Sequence, residues 1–96
     1  MAELEQGGKS YRTTYVSPVE TLALAGQLDF DDYAKSLKLF TFAFEHLEVK
    51  VGDAWIPVKT PGRDLYAPGI DVRELDMLAR WFIETVLIPA FPGSDA

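Results

Sequence analysis

The sequence predicts an α+β protein, mainly helical, in which three helices pack with one β-hairpin at about 47–58 and an edge strand near the N-terminus. Three stretches carry that prediction. Residues 70–88, IDVRELDMLARWFIETVLI, open with a complete helix-start signal and close at Pro89. Residues 29–44 repeat aromatic and aliphatic side chains at helical spacing. Residues 47–58 alternate apolar and polar around a Gly-Asp turn.

Composition sets the outer bounds. The 96 residues suffice for one domain, expected over 9–91 between a disordered lead at 1–8 and a flexible tail at 92–96. A hydrophobic fraction of 48% argues against wholesale disorder. No apolar run approaches the roughly 18–20 residues that span a bilayer, and MAELEQGGKS is too acidic and polar for a secretory signal. With no cysteine, disulfides, thiol chemistry and cysteine zinc sites are excluded. A net charge of −6 argues against nucleic acid, because phosphate binding needs a basic face.

Taken in order, residues 9–16, KSYRTTYV, have strand composition, with Tyr11, Thr13 and Tyr15 on one side, and form an edge strand or an extended arm. Ser17-Pro18-Val19-Glu20 starts a short helix: Ser17 caps, Pro18 takes the first helical position, and Gly26 sits where a helix ends. Leu22 and Ala25 are expected to pack inward. The next helix is expected to begin at Asp29, with Asp31 and Asp32 in a first turn that favours negative charge. Phe30, Tyr33, Leu37, Phe40 and Phe44 then make its inward face, and Leu39 and Phe42 lie on the opposite side with Asp32, Lys35 and His46. In the ribbon, Gly52-Asp53 is a favoured two-residue turn. It sets Val51 against Ala54, Val49 against Ile56 and Leu47 against Val58, all apolar and on one side. Trp55 points to the other side, beside Glu48, Lys50 and Pro57, where it either lies across the lysine stem or meets a partner. Residues 59–69, KTPGRDLYAPG, are a loop with turns at Pro61-Gly62 and Pro68-Gly69. In the last helix Asp71 and Glu74 form a capping box, with Glu74 reaching back to the cap, and Ile70 and Leu75 form a hydrophobic staple. Val72, Leu75, Leu78, Ala79, Phe82, Ile83 and Val86 share the inward face. Asp76–Arg80 and Arg80–Glu84 are opposite charges one turn apart. After Pro89, Phe91 is expected to fold back on the domain.

Catalytic and metal-binding patterns are not present. A nucleophile needs a base within reach, and the one histidine, His46, reads as a surface residue near a helix end. Counted from Asp29, a calcium loop would need glycine and glutamate where Ala34 and Phe40 stand, so Asp29, Asp31 and Asp32 read as helix-start residues. Pro61-Gly62-Arg63 lacks the lysine and helix of a phosphate loop. The expectation is a protein that is not an enzyme and has no cofactor and no metal.

What remains is surplus apolar surface. Met77, Trp81 and Ile88 fall on the shoulder of the last helix, outside its inward face. They are either covered by the N-terminal strand or a loop, or they form a partner-binding edge. With Leu39, Phe42 and Trp55 they make the candidate partner-binding set. Met is an adaptable contact residue, Trp dominates interface energies, and apolar anchors one turn apart suit a helix-in-groove mode.

The order of parts is an acidic lead, helices carrying LDFDDYAKSLKLFTFAFEHLEVKV, a WIPVK ribbon, then IDVRELDMLARWFIETVLIPAF. Over residues 16–91 this layout, size and acidity resemble small proteins encoded among the tail genes of long-tailed bacteriophages, in particular tail-assembly chaperones. The resemblance implies a mostly helical, oligomerising protein that coats an apolar tape-measure protein before the tail tube polymerises. Such a protein works in the cytoplasm of a bacterial host and is usually absent from the finished particle. Two other readings share this texture: a homo-oligomeric component of a tail or connector, found in the virion, and an acidic inhibitor of a host protein. The inhibitor reading ranks last, because the carboxylates Asp29, Asp31, Asp32, Glu45 and Glu48 are interleaved with lysines.

Overall fold

The computed structural model describes residues 2–26 and 31–90. Among them lie a four-stranded antiparallel sheet in the order β1-β2-β3-β4 and three α-helices. The strands are β1 (Glu3–Gln6), β2 (Lys9–Thr13), β3 (Leu47–Val51) and β4 (Ala54–Pro57). Helices α1 (Pro18–Ala25) and α2 (Tyr33–Glu45) connect β2 to β3, and α3 (Val72–Phe82) follows β4. The chain is therefore not mainly helical: a four-stranded sheet replaces the expected hairpin with an edge strand. Expectations for Asp29, Phe30, Phe91 and the tail at 92–96 lie outside the described residues.

The difference originates in the lead at 1–8. Gly7 and Gly8 have φ of 61° and 79°, a left-handed pair that closes a tight hairpin without cost to a side chain. Glu3, Glu5 and Gln6 hide the strand from a composition argument, yet Leu4 is paired with Tyr11 and turns inward. Ala2 extends the ladder: its N–H donates to Thr13 Oγ1 at 3.0 Å and its carbonyl accepts from Thr13 N at 2.9 Å. Strand β2 thus lies inside the sheet, between β1 and β3, not at its edge.

The second hairpin has the expected register, Val51 with Ala54 and Val49 with Ile56, and Val58 N donates to the Leu47 carbonyl at 2.9 Å. One row, Leu4–Tyr11–Val49–Ile56, crosses all four strands on the helix-bearing face. Glu3, Arg12 and Glu48 make a row on the opposite face. Lys50 pairs with Trp55 on that side, as the alternation requires.

Each helix start carries a side-chain cap. Ser17 accepts from Glu20 N, Asp32 from Lys35 N and Asp71 from Glu74 N. Gly26 ends α1 with φ −70°, still helical rather than left-handed. Helix α1 turns Thr21 and Ala25 inward and leaves Leu22 exposed, contrary to expectation. In α3, Ile70 and Leu75 both pack against the core, and Arg80 Nε lies 3.1 Å from Asp76 Oδ2. Val72, expected inside, is exposed.

Past Phe82 the helix widens into a π turn, Ile83–Leu87, then a 3₁₀ turn, Ile88–Ala90. Ile88 N donates to the Ile83 carbonyl, so five residues fill the turn where four are usual. Pro89, which has no N–H to continue the ladder, follows at once. The wider turn shifts the phase of the helix: Leu87, not Val86, follows Phe82 into the core, and both Phe82 and Leu87 are 0% exposed. Leu87→Ala is expected to destabilise the protein by about 2–5 kcal/mol and Val86→Ala by about 1 kcal/mol, measured by urea denaturation. Equal losses would contradict the phase shift.

Candidate functional site

Helix α2 carries two apolar stripes, and the structure buries the one that the spacing leaves outside. Leu39 and Ala43 are each 1% exposed and belong to the core. Phe42 is half-buried, edge-on to Phe82 with ring centroids 6.0 Å apart and stacked on His46 at 4.3 Å. Tyr33, Leu37 and Phe40, expected inside, are 81%, 52% and 36% exposed. They stand at i, i+4 and i+7 along one outer face. Phe44 continues the stripe but is covered: it stacks on Phe40 at 6.3 Å and meets Tyr66 edge-on at 6.3 Å. Leu65, beside Tyr66 in the chain, is exposed.

Two partly buried polar clusters fix the end of α2 and the start of α3. At the C-terminal end of α2, Glu45 Oε2 accepts from Lys59 Nζ at 2.7 Å and from Gly62 N at 3.0 Å. Lys59 is itself buried and pairs with Tyr66 in a β-bridge, so the loop that carries Tyr66 is held against α2. Gly62, with φ 76°, turns that loop toward Glu45. The Lys59 hydrogen bond, then the Gly62 N–H, hold the Glu45 carboxyl below its ordinary value. At the start of α3, Glu74 does not reach back to its cap. Its oxygens accept from Lys9 Nζ at 3.1 and 3.0 Å and from Tyr11 Oη at 2.8 Å, joining helix to sheet. Burial opposes ionisation of Glu74, but the Lys9 and Tyr11 hydrogen bonds outweigh it and its pKa is lowered. Burial, with the bond to Glu74, pushes the Tyr11 phenol well above its ordinary value. Neither cluster was nominated by the sequence, because both join residues far apart in the chain.

The remaining expected partner-binding residues fall in different places. Met77 and Trp81 are half-buried against the core, and Met77 borders Gln6 and Gly7 of the first hairpin. Ile88 is 44% exposed. Trp55 lies on the far face of the sheet with the Arg12 guanidinium 4.3 Å from its ring centroid, rather than across a lysine stem. Arg12 Nε is in turn 2.7 Å from Glu48 Oε1. Leu39 is in the core and cannot be reached by a partner. The expected set is thus not brought together, while Tyr33, Leu37 and Phe40 are.

Among the described residues no group of three or more His, Asp or Glu side chains is placed to hold a metal, and no helix is long and apolar enough to cross a membrane. A hollow of about 340 Å³, open to solvent, lies on the outer sheet face between Glu3, Glu5, Ser10, Lys50 and Trp55.

The two depressed carboxyls set an acid limb of stability. Below their ordinary value of 4.5 the unfolded chain takes up protons that the folded chain refuses. Stability present above that pH is therefore lost as pH falls through the lower folded values. Glu45→Gln and Glu74→Gln are each expected to flatten this limb in urea titrations between pH 6 and 3. Tyr11 acts at the other extreme: above its ordinary 10.0 the unfolded chain releases a proton that the fold retains, so stability falls there. Tyr11→Phe is expected to remove that alkaline loss.

Comparison with protein-family models, with curated proteins and with solved structures returns no match.

Proposed function

We propose that the protein is a non-enzymatic assembly factor that docks an apolar helical partner along the outer stripe of α2. One observation carries the reading: Tyr33, Leu37 and Phe40 form an exposed apolar line at i, i+4, i+7 on a helix whose other apolar side is already buried. Large apolar side chains in a continuous line on a small acidic protein are costly to leave in water, and the spacing suits a second helix. The net charge of −6 keeps such a protein soluble beside an aggregation-prone partner. The layout resembling tail-assembly chaperones makes a tape-measure-like helical protein, in the cytoplasm of a bacterial host, the partner of choice in this reading.

The test uses a labelled amphipathic helical peptide with leucines at i, i+3/i+4 and i+7, titrated by fluorescence anisotropy. Leu37→Asp with Phe40→Asp is expected to weaken binding at least tenfold with unchanged circular dichroism, while Trp81→Phe binds as the parent does. Binding that survives the double substitution, or no binding by the parent, contradicts the proposal.

A further inference from the structure

The two edges of the sheet are not equivalent. We infer that β1 is a docking edge for an extended basic segment of a protein partner, which adds as a fifth strand with lysine or arginine at alternate positions. This surface is separate from the stripe on α2, and the inference does not rest on it.

The backbone sets the difference between the edges. Along an antiparallel pair, residues that exchange N–H and C=O bonds with the neighbouring strand alternate with residues that point both groups away. Thr13 N donates to the Ala2 carbonyl at 2.9 Å, which fixes the phase of β1. Leu4 and Gln6 therefore bond to β2, and Glu3 and Glu5 turn their N–H and C=O groups to the open side. The same count on β4, starting from the bond of Val58 N to the Leu47 carbonyl, turns Trp55 and Pro57 outward. Proline has no N–H, so β4 offers an added strand one donor where β1 offers two. Among the described residues no strand pairs with the outer side of β1.

The side chains select the kind of strand. Glu3 and Glu5 are exposed. Glu5 accepts from Ser10 Oγ at 3.5 Å, and neither carboxylate has an ion-pair partner among the described residues. Arg12, opposite Glu3, is engaged by Glu48 and Trp55 instead. Two β1 strands side by side would set glutamate against glutamate, which destabilises a sheet, whereas a basic residue in the same place stabilises it. The edge is thus closed to its own copy and open to a basic strand, which the net charge of −6 also attracts. Between the two glutamates, Leu4 ends the apolar row that crosses the sheet and is only half-buried. Met77 borders Gln6 and Gly7 on the same side. The added residue opposite Leu4 faces the helices and continues that row, so the pattern recognised is basic–aliphatic–basic. The open hollow beside Glu3, Glu5 and Ser10 leaves room for the basic side chains on the outer face.

The probe is a short labelled peptide of alternating lysine and valine, titrated by fluorescence anisotropy at physiological ionic strength. Saturable binding by the parent protein is expected. Methylating the backbone nitrogens of the lysines keeps every charge but removes the donors that meet Glu3 and Glu5, and is expected to weaken binding at least tenfold. Glu3→Gln with Glu5→Gln is expected to do the same. Glu20→Gln with Asp53→Asn, an equal loss of charge at exposed positions elsewhere, and Leu37→Ala on α2 are expected to bind as the parent does. Amide hydrogen exchange gives the position: the Glu3 and Glu5 amides exchange fast in the free protein and are protected in the complex, while the Leu4 amide is protected in both. No binding by the parent, equal binding of the methylated peptide, an equal loss in the Glu20 and Asp53 variant, or Glu3 and Glu5 amides left unprotected at saturation overturns the inference. Binding lost in Leu37→Ala places the peptide on α2 and overturns it too. So does protection of Glu3 and Glu5 that rises with protein concentration alone, which places a second copy on the edge.

Discussion

The sheet has one apolar face, and two helices must share it. Its other face carries Glu3, Arg12, Glu48 and Lys50, with Trp55 shielded under Arg12. Only the side lined by Leu4, Tyr11, Val49 and Ile56, with Leu47 and Val58, can take α2 and α3. Helix α2 is apolar on two sides, so one of them has to stay out. The side that goes in carries Leu39 and a small residue, Ala43, with Phe42 edge-on to Phe82 beside them. Small residues let helices approach closely, and α2 rests on α3 through Leu78, Ala79 and Phe82. The stripe of Tyr33, Leu37 and Phe40 is bulkier throughout, and the core leaves it in solvent. The candidate docking surface is the direct consequence of this limit on burial.

Polar contacts hold the arrangement where apolar packing alone would tolerate rotation. Glu45, gripped by Lys59 and Gly62, fixes the end of α2 and brings Tyr66 over Phe44. Glu74, gripped by Lys9 and Tyr11, fixes the start of α3 against β2. A partly buried carboxylate is costly unless its oxygens are satisfied, and both of these are. The π turn completes the set by bringing Leu87 under the core after Phe82.

Local signals were legible in the sequence, and long-range choices were not. The caps at Ser17 and Asp71, the Gly52 turn and the register of Val49 with Ile56 follow from neighbours in the chain. The Gly7-Gly8 hairpin was local too, but a strand with one apolar residue, Leu4, gives alternation too little to work on. The orientation of α2 was the largest reversal. Periodicity identifies an apolar stripe but cannot rank two of them, because the ranking depends on how closely α3 approaches. Of the residues expected to meet a partner, Leu39 went to the core for this reason, and the stripe that was expected to fill the core became the exposed one. Leu87 was missed because a constant 100° per residue does not allow for a turn of five.

The account stands on which side of α2 faces water. The chain has no cysteine, so Leu37→Cys and Leu39→Cys each introduce a single thiol, two residues apart on opposite sides of the helix. At sub-micromolar protein, where self-association is negligible, the rate of modification by a thiol reagent reports exposure directly. The account predicts modification of the Leu37→Cys protein at the rate of a free thiol, and protection of the Leu39→Cys protein by at least a hundredfold until urea unfolds it. The reverse order, or equal rates in two folded variants, would contradict it.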